Sequence, residues 1–347
     1  MTLRSDLPAV TQLPTSSIEA ASPLRFGILG AARIAPRAII APARHLPGAE
    51  VTAVAARDQK RASAFAARYH LPKVYSSYAA LIADPDIDAI YNPLPNSLHA
   101  EWTIRALEAG KHVLCEKPIA SNTEEAQQMD AVARRTDKVL MEAFHYRYHP
   151  LIERSLAILQ SGELGIIQHI EAVMCIPLYR TWDIRWRYDL AGGALMDVGC
   201  YTIHLLRTLM GMEPTVTTAR AWLRAPQVDR AAEAHFTFAN GSTGRIYCSM
   251  WSPTLLKFGA KVIGDKGELH IANPYLPHLY HHLRIRTASG ERREKVETTP
   301  TYTYQLAAFI QAVRTGTPFP TGMTDAIANM RVIDAIYQAA GLKPRGT

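Results

Sequence analysis

The sequence predicts two domains, a doubly wound parallel sheet followed by a domain built on a large, mostly antiparallel open sheet. The chain has 347 residues, more than one hydrophobic core usually serves, and 48% of them are hydrophobic, enough to fill two cores. From Leu24 onward, short apolar runs alternate with helical stretches, as they do in successive β-α-β units. After Pro150, longer segments alternate polar and apolar residues, which is typical of an antiparallel sheet.

The first domain is predicted over residues 23–145. Its strands read as near-continuous apolar runs, because strands of a parallel sheet are covered on both faces. They are expected within residues 24–30, 49–57, 87–95, 111–118 and 139–145, and the helices within residues 32–46, 59–70, 97–110 and 123–138. Residues 1–22 combine Pro, Ser and Thr without periodicity, so we expect a loose leader there.

The second domain is predicted over residues 146–347. Its strands are expected within residues 167–178, 217–225, 232–240, 242–251, 260–273 and 281–289, and closing helices within residues 303–316 and 324–341. Asn240-Gly241 and Asp265-Lys266-Gly267 stand where hairpin turns belong. The densest basic stretch, residues 284–295, contains its own acids and a turn, which favours a solvated hairpin over a nucleic-acid arm.

Charge and composition argue against several classes of function. The net charge is +7, but the Lys and Arg residues are scattered, so no nucleic-acid partner is expected. The four cysteines form no CxxC pair, which predicts reduced thiols and no metal site. The chain has no apolar run of the roughly eighteen residues that a membrane span needs, and no signal-like N-terminus. We therefore expect a cytoplasmic protein with no membrane partner.

A glycine-containing turn between the first strand and the first helix predicts a dinucleotide site. Gly30, Ala32, Arg33 and Ile34 lie in the position of the G-x-G-x-x-G/A fingerprint, with Ala32 replacing the middle glycine. Glycine is usual there because the pyrophosphate approaches the backbone at a helix N-terminus. A methyl group loosens that approach without abolishing it. Such turns also serve purely structural ends, but opening the first β-α-β unit favours the cofactor.

The end of the second strand indicates which cofactor is bound. A carboxylate there would bond the 2′-hydroxyl of NAD, whereas this sequence has Arg57 followed by Asp58. A guanidinium pairs with a 2′-phosphate, and Lys60 and Arg61 lie within one helical turn. NADP(H) is therefore predicted, with NAD(H) less favoured. The competing interpretation is that Arg57 belongs to a solvated loop while Asp58 caps the next helix.

The tripeptide Glu116-Lys117-Pro118 ends an apolar strand of the parallel sheet. Ligands of doubly wound sheets bind beyond the carboxyl ends of the strands, so Lys117 is a candidate catalytic cation. An isolated tripeptide of this kind would more simply be a surface Glu-Lys pair before a turn.

A second group of polar residues follows the glycine pair Gly192-Gly193. Asp197, Tyr201 and His204 are spaced to lie roughly on one face at the start of a helix. By themselves these residues also fit a purely structural interpretation. In it the glycine pair forms a flexible turn, Asp197 favours the helix N-terminus, and Tyr201 and His204 are half-buried packing residues.

The motifs together resemble one family. Residues 27–35, 92–118, 141–150 and 186–204 are spaced and ordered as in the glucose-fructose oxidoreductase, inositol dehydrogenase and dimeric dihydrodiol dehydrogenase family, abbreviated Gfo/Idh/MocA. The resemblance covers nearly the whole chain from about Leu24. It implies a Rossmann domain, a C-terminal α+β domain whose open sheet pairs copies into dimers or tetramers, and a nicotinamide-dependent oxidoreductase acting on a sugar, polyol or related diol.

The resemblance also implies roles for individual residues. Tyr201 is typical of the dihydrodiol dehydrogenase and glucose-fructose oxidoreductase branch, and Arg57 resembles that branch's NADP users. A free tyrosine, with a pKa near 10, is a poor base at neutral pH, but a nearby ammonium lowers that pKa. The hypothesis is that Tyr201 transfers the proton, Lys117 orients substrate and ribose, and Asp197 binds a substrate hydroxyl.

Other positions match the family less specifically. They are Pro93, Asn96, His99 and Glu116 for the cofactor, Trp186 and Arg187 for the cofactor, and Arg147 and His204 for the substrate. His99 fits a packing role at a helix start as well, and surface guanidinium groups remain an interpretation for both arginines. The family leads us to expect a cis or strained Lys117-Pro118 bond.

A different class of function shares this fold. Nicotinamide-nucleotide-sensing regulators bind a protein partner without catalysis, and they tend to lack the Lys or the Tyr. Because both residues are present here, the enzyme is favoured. The substrate stays open among an aldose, a keto sugar and a trans-dihydrodiol.

Overall fold

The computed structural model describes residues 22–347, which divide into two compact units. The first unit comprises residues 22–148 and 300–327, and the second comprises residues 149–299 and 328–347. Residues 300–327, predicted in the second domain, pack with the first unit here. Apart from Ser22, the leader predicted over residues 1–22 lies outside the described residues.

The first unit contains a six-stranded parallel sheet, which confirms the predicted doubly wound fold. Its strands are β1 (Leu24–Leu29), β2 (Ala49–Ala55), β3 (Lys73–Tyr75), β4 (Ala89–Asn92), β5 (His112–Cys115) and β6 (Leu140–Glu142). Its helices are α1 (Ala41–His45), α2 (Gln59–Tyr69), α3 (Tyr78–Ala83), α4 (His99–Glu108) and α5 (Thr123–Thr136). The strand order is β3-β2-β1-β4-β5-β6, so successive strands are added on one side of β1 up to β3 and on its other side from β4 onward.

Residues 300–327 belong to the first unit because they cover part of its core. Helix α8 (Thr301–Thr315) has a row of buried apolar residues that joins the cluster formed by β1 and the helix after it. The rings of Phe26 and Phe309 lie 5.6 Å apart between centroids. Burying apolar surface of this kind is the main favourable contribution to folding. It outweighs the entropy cost of bringing together residues that are far apart in the chain.

The second unit contains an eight-stranded sheet in the order β14-β13-β12-β11-β7-β10-β9-β8. Its strands are β7 (Ile167–Cys175), β8 (Thr215–Ala225), β9 (Val228–Thr237), β10 (Thr243–Ser249), β11 (Lys257–Gly264), β12 (Gly267–Ala272), β13 (His282–Thr287) and β14 (Gly290–Glu294). All neighbouring pairs are antiparallel except β7 and β10, which confirms the mostly antiparallel prediction. Turns at Gly241 and at Asp265-Lys266 connect strands as predicted.

The helices α6 (Pro150–Gln160) and α7 (Cys200–Met210) pack in the second unit, and α9 (Met323–Ala339) follows α8. A π-helical segment, Leu195–Gly199, leads directly into α7. Between residues 22 and 347 there is no helix whose length and apolarity would suit a membrane crossing. The same residues include no cluster of three or more His, Cys, Asp or Glu side chains suited to hold a metal ion.

Candidate functional site

The first group of candidate residues lies at one edge of the parallel sheet. Gly30 follows β1, Arg57 follows β2, Asn96 follows β4, Lys117 follows β5 and Arg147 follows β6. Because all six strands run in the same direction, their carboxyl ends share this edge, where doubly wound sheets bind their ligands. The fold therefore brings together five sequence positions that span more than a hundred residues.

The turn after β1 has the geometry of a phosphate-binding loop. Gly30 has φ +90°, in the region that favours glycine, and its amide is bonded to the carbonyl of Ala55. Ala32 donates its amide to the carbonyl of Gly30. In the described part of the chain, the amides of Ala31, Arg33 and Ile34 make no hydrogen bond. These three donors precede a helix, so they suit an anion, and the residues fit a bound pyrophosphate.

Arginine side chains beside this turn complete a positive edge. Arg57 and Arg33 are exposed, and neither side chain has a hydrogen bond or an ion pair within residues 22–347. Tyr78, which the sequence analysis did not single out, lies under the turn, with its hydroxyl 3.9 Å from where a Cβ on Gly30 would be. Burial raises the pKa of Tyr78, and the charge of Arg57 opposes that shift. Asp58 caps α2 through the amide of Arg61, as the competing interpretation expected.

The loop that carries Lys117 is held by hydrogen bonds on both sides of it. The Tyr91 hydroxyl donates to Glu116 Oε1 at 2.6 Å, and the amide of Ile119 donates to Glu142 Oε1 at 2.8 Å. The Lys117-Pro118 bond is cis, which confirms the expectation from the family. Lys117 is half-buried, so its ammonium is carried on a fixed backbone at the edge of the sheet.

His99 supports the same loop from below. Its side chain is completely buried, with Nδ1 2.8 Å from the carbonyl oxygen of Pro118 and Nε2 2.8 Å from that of Leu94. Burial lowers the pKa of His99 to about 4, although the two carbonyls oppose the shift. Both ring nitrogens thus face backbone atoms, which is the packing role that the sequence analysis left open. Pro93 and Asn96 lie half-buried in the neighbouring loop.

The second group of candidates lies in the second unit, around the start of α7. Asp197 lies in the π-helical segment, and Tyr201 and His204 follow in α7. The Tyr201 side chain is largely buried and meets Tyr275 edge to face, with ring centroids 5.8 Å apart. His204 is buried as well. The predicted helix start is therefore present, but its first turn is wider than the α-helical spacing assumed.

An arginine that the sequence analysis missed pairs with this group. Arg185 Nε lies 3.0 Å from Asp197 Oδ2, and its NH1 bonds to Asp183. The charge of Asp197 raises the pKa of Arg185 further above its already high value. In the sequence Arg185 is one of several arginines among aromatic residues, and nothing in its spacing distinguishes it.

The two other candidates in this loop are already engaged with neighbours. Trp186 is buried, its indole donates to the carbonyl of Arg180 at 3.0 Å, and Arg224 stacks on its ring at 4.7 Å. Arg187 pairs with Asp189, with Nε 3.0 Å from Oδ1. Their predicted contact with the cofactor stays a prediction.

Comparison with known families identifies both halves of the chain. A sequence model for an oxidoreductase family with an NAD-binding Rossmann fold matches residues 24–144. A model for the Gfo/Idh/MocA C-terminal domain matches residues 153–270. The two matches follow each other in the order predicted from the motifs.

Individual relatives match over almost their whole length. The NADP⁺-dependent D-xylose 1-dehydrogenase 2 of Haloferax volcanii is 36% identical, over 91% of this chain and 97% of its own. The dTDP-3,4-didehydro-2,6-dideoxy-α-D-glucose 3-reductase of Actinomadura kijaniata is 32% identical, over 92% and 96%. A crystal structure of a 3-ketoreductase from Actinomadura kijaniata with NADP and TDP-benzene superposes with a TM-score of 0.86, at 31% identity over 91% and 98% of the chains.

Proposed function

Because the chain belongs to the Gfo/Idh/MocA family of oxidoreductases, we propose that it is an NADP(H)-dependent dehydrogenase or reductase of a sugar, keto sugar or related diol. The observation that carries this proposal is the edge of the parallel sheet, where the Gly30 turn, Arg57 and Lys117 follow neighbouring strands. When bound there, the nicotinamide accepts or supplies the hydride.

The chain's own residues hold the cofactor and move the proton. The free amides of Ala31, Arg33 and Ile34 bind the pyrophosphate, and Arg57 binds the 2′-phosphate. Glu116, Pro93 and Asn96 shape the cofactor loop, and His99 acts by fixing it. Tyr201 gives or takes the proton of the reacting hydroxyl, and Lys117 orients the substrate and assists that tyrosine.

The remaining polar groups orient the substrate. Asp197 accepts a hydrogen bond from a substrate hydroxyl, and Arg185, whose Nε lies 3.0 Å from Asp197 Oδ2, fixes the direction of that carboxylate. His204 and Arg147 add polar contacts to the substrate. The two named relatives act on a free aldose and on a nucleotide-linked keto sugar, so both substrate types are included in the proposal.

The test is a substrate panel in both directions. NADP⁺ reduction is measured with aldoses, cyclitols and trans-dihydrodiols, and NADPH oxidation with keto sugars, each repeated with NAD(H). We expect turnover on at least one sugar or diol, with NADP(H) preferred. Tight NADP(H) binding without turnover on any of them would instead favour the regulatory protein of the same fold.

Copies of the chain are proposed to associate through the open face of the second sheet. That face carries side chains of both charges, which form ion pairs: Arg245 with Glu233 at 2.6 Å and Lys261 with Glu268 at 2.8 Å. Beside them lies a groove of about 690 Å³, floored by small residues such as Gly259 and Ala272. A surface that carries both charges can match itself across a two-fold axis. Sedimentation velocity should therefore give a dimer or tetramer, and a stable monomer would overturn this part of the proposal.

A further inference from the structure

A buried ion pair joins the C-terminal end of the chain to the second candidate group. Arg345 and Asp229 are both completely buried, and Arg345 NH2 lies 2.7 Å from Asp229 Oδ1. The guanidinium lies between the rings of Tyr337 and Tyr188, 4.1 and 5.1 Å from their centroids. Neither charged residue belongs to the candidate site, and the proposed function has no use for either.

Both members of the pair also hold the backbone of the glycine turn before α7. Arg345 Nε donates to the carbonyl of Gly192 at 2.8 Å. Asp229 Oδ2 accepts the amide of Leu195 at 2.6 Å, and its Oδ1 accepts the Tyr337 hydroxyl at 2.9 Å. The ion pair therefore holds the carbonyl at the start of the Gly192–Leu195 turn and the amide at its end.

The glycine pair is required by this arrangement. A Cβ on Gly193, which has φ +138°, would lie 2.2 Å from Asp229 Oδ1 and 2.8 Å from Arg345 NH2. A Cβ on Gly192 would lie 2.5 Å from the carbonyl oxygen of Arg185. The glycines leave room for the ion pair on one side and for the Arg185 loop on the other. The flexible turn considered from the sequence is thus a tightly packed one.

The turn transmits its position to the candidate residues. The amide of Asp197 donates to the carbonyl of Gly193 at 3.0 Å, and the amide of Gly193 donates to the carbonyl of Arg185 at 2.9 Å. Arg185 in turn pairs with the Asp197 carboxylate. Leu195, whose amide Asp229 holds, begins the segment that continues to Tyr201. A shift of the turn would therefore move Asp197 and Tyr201 together.

The energetics of the pair favour a geometric role over a stabilising one. Taking two charges out of water costs about as much as their attraction returns, so a buried ion pair adds little net stability. Its donors and acceptors, however, have fixed directions, since a guanidinium is a rigid planar fork. Here that fork reaches the carboxylate and a turn carbonyl at the same time.

We propose that Arg345 and Asp229 are positioning residues, and that the C-terminal segment sets the geometry of Asp197 and Tyr201 by clamping the Gly192–Leu195 turn. The role in the reaction rests on the proposed function, but the clamp itself is testable without turnover. Arg345→Met removes the fork at similar length. Arg207→Met is the matched control, because Arg207 is also buried, at the other end of α7, and pairs with Glu213 at 2.7 Å.

The first experiment is amide hydrogen exchange on the full chain. We expect peptides covering residues 192–201 to exchange at least tenfold faster in Arg345→Met than in the unsubstituted protein, and at unchanged rates in Arg207→Met. Equal rates in Arg345→Met and the unsubstituted protein would overturn the proposal. If Arg345→Met does not fold, Arg345→Lys and Asp229→Asn are measured in its place, since the first keeps both charges, the second keeps only the guanidinium, and each loses the shared geometry.

The second experiment is a double-mutant cycle on the reaction. We expect Arg345→Met to lower kcat at least tenfold with the KM for NADPH unchanged, and its effect to be much smaller when Asp197→Asn is already present. A purely structural role would give multiplicative effects, as Arg207→Met with Asp197→Asn should, and would overturn the proposal. Lack of turnover in the unsubstituted protein would reject the proposed function, while hydrogen exchange would still decide the clamp.

Discussion

The Lys117 loop and the segment from Gly192 to Tyr201 are both fixed in place, but by different means. The Lys117 loop is held by Tyr91, His99 and Glu142, which follow or belong to strands at the same sheet edge. The second segment is held by Asp229, which lies in β9, and by Arg345, which lies near the C-terminal end of the chain. The first region is held by residues on or next to neighbouring strands of one sheet. The second is held by two charged residues that are distant from it in the sequence.

This difference determines what each region tolerates. The bonds around Lys117 are single contacts, each worth about 1–3 kcal/mol net, with the higher values for the two that end on carboxylates. The clamp around Gly192 is a set of bonds that depend on one charge pair, so losing one member leaves the other buried and uncompensated. Four sets of substitutions test this contrast, from the largest expected effect to the smallest.

The largest effect is expected where the two regions are proposed to serve one reaction. Tyr201→Phe and Lys117→Met should each lower kcat by about 10²- to 10⁴-fold, because Tyr201 is proposed to transfer the proton and Lys117 to orient the substrate and assist Tyr201. Initial rates on the best substrate of the panel, with NADPH binding followed by fluorescence, measure this. Tyr247→Phe and Lys138→Met serve as controls. Near-full activity in folded Tyr201→Phe would reject its role.

The second-largest difference between the two regions is expected in the free energy of unfolding. Arg345→Met should lower the free energy of unfolding by about 3–5 kcal/mol, because Asp229 is left buried without its partner. Replacing both, as Arg345→Met with Asp229→Leu, should recover most of that loss. Tyr91→Phe, which removes one bond to the Lys117 loop, should cost only about 1.5–3 kcal/mol. Urea unfolding measures all three, and equal losses for Arg345→Met and Tyr91→Phe would contradict the contrast.

Lowering the pH should destabilise the protein partly because of His99, which supports the Lys117 loop. Its pKa is lowered to about 4 in the folded protein, against about 6.5 unfolded, so below pH 6.5 the unfolded state binds the extra proton. Stability is therefore lost as the pH falls, by about 2 kcal/mol between pH 7.5 and 5 for this residue.

Urea unfolding at the two pH values, compared with His99→Gln, isolates that share from those of His112 and His149, whose pKa values burial also lowers to about 4. The variant should lose about 2 kcal/mol less than the unsubstituted protein over this interval. Identical losses would mean that His99 takes up a proton when folded and donates to both carbonyls.

The smallest effect is expected at Arg57, whose side chain has no hydrogen bond or ion pair within residues 22–347, in contrast to the buried and paired Arg345. Arg57→Asp should leave the unfolding free energy nearly unchanged, because the side chain is exposed and has no bond within residues 22–347. It should weaken NADPH binding about tenfold relative to NADH, since a charge-assisted contact is lost. Arg68→Asp, in the neighbouring helix α2, controls for the change in net charge. Equal effects of the two substitutions would reject a specific contact at Arg57.

The same contrast explains what the sequence could predict. The parallel sheet follows from runs such as residues 49–57, and Lys117 from the rule that ligands meet the carboxyl ends of such strands. The sheet of the second unit was expected from its alternating segments, and the cis Lys117-Pro118 bond from the family resemblance alone; both are present. These features depend on local pattern, or on packing that every fold of this kind repeats.

What the sequence could not predict depends on individual side chains meeting across long separations. Arg345 is one basic residue near a polar chain end, and Asp229 lies in an ordinary hairpin, so neither has a pattern that marks it as buried. The assignment of residues 300–327 fails for the same reason, because an apolar helix does not reveal which core it will cover. Short elements such as β3 and α3 were missed because too few residues carry their period.

The pairing of Phe26 with Phe309 has a consequence for the order in which the protein is made. Roughly 280 residues must leave the ribosome between the two, which takes on the order of 15–60 s at about 5–20 residues per second. During that interval the face of β1 that α8 will cover stays apolar and uncovered in the nascent chain. The first domain to be synthesised is thus completed among the last, and its unfinished surface is a place where a chaperone would bind.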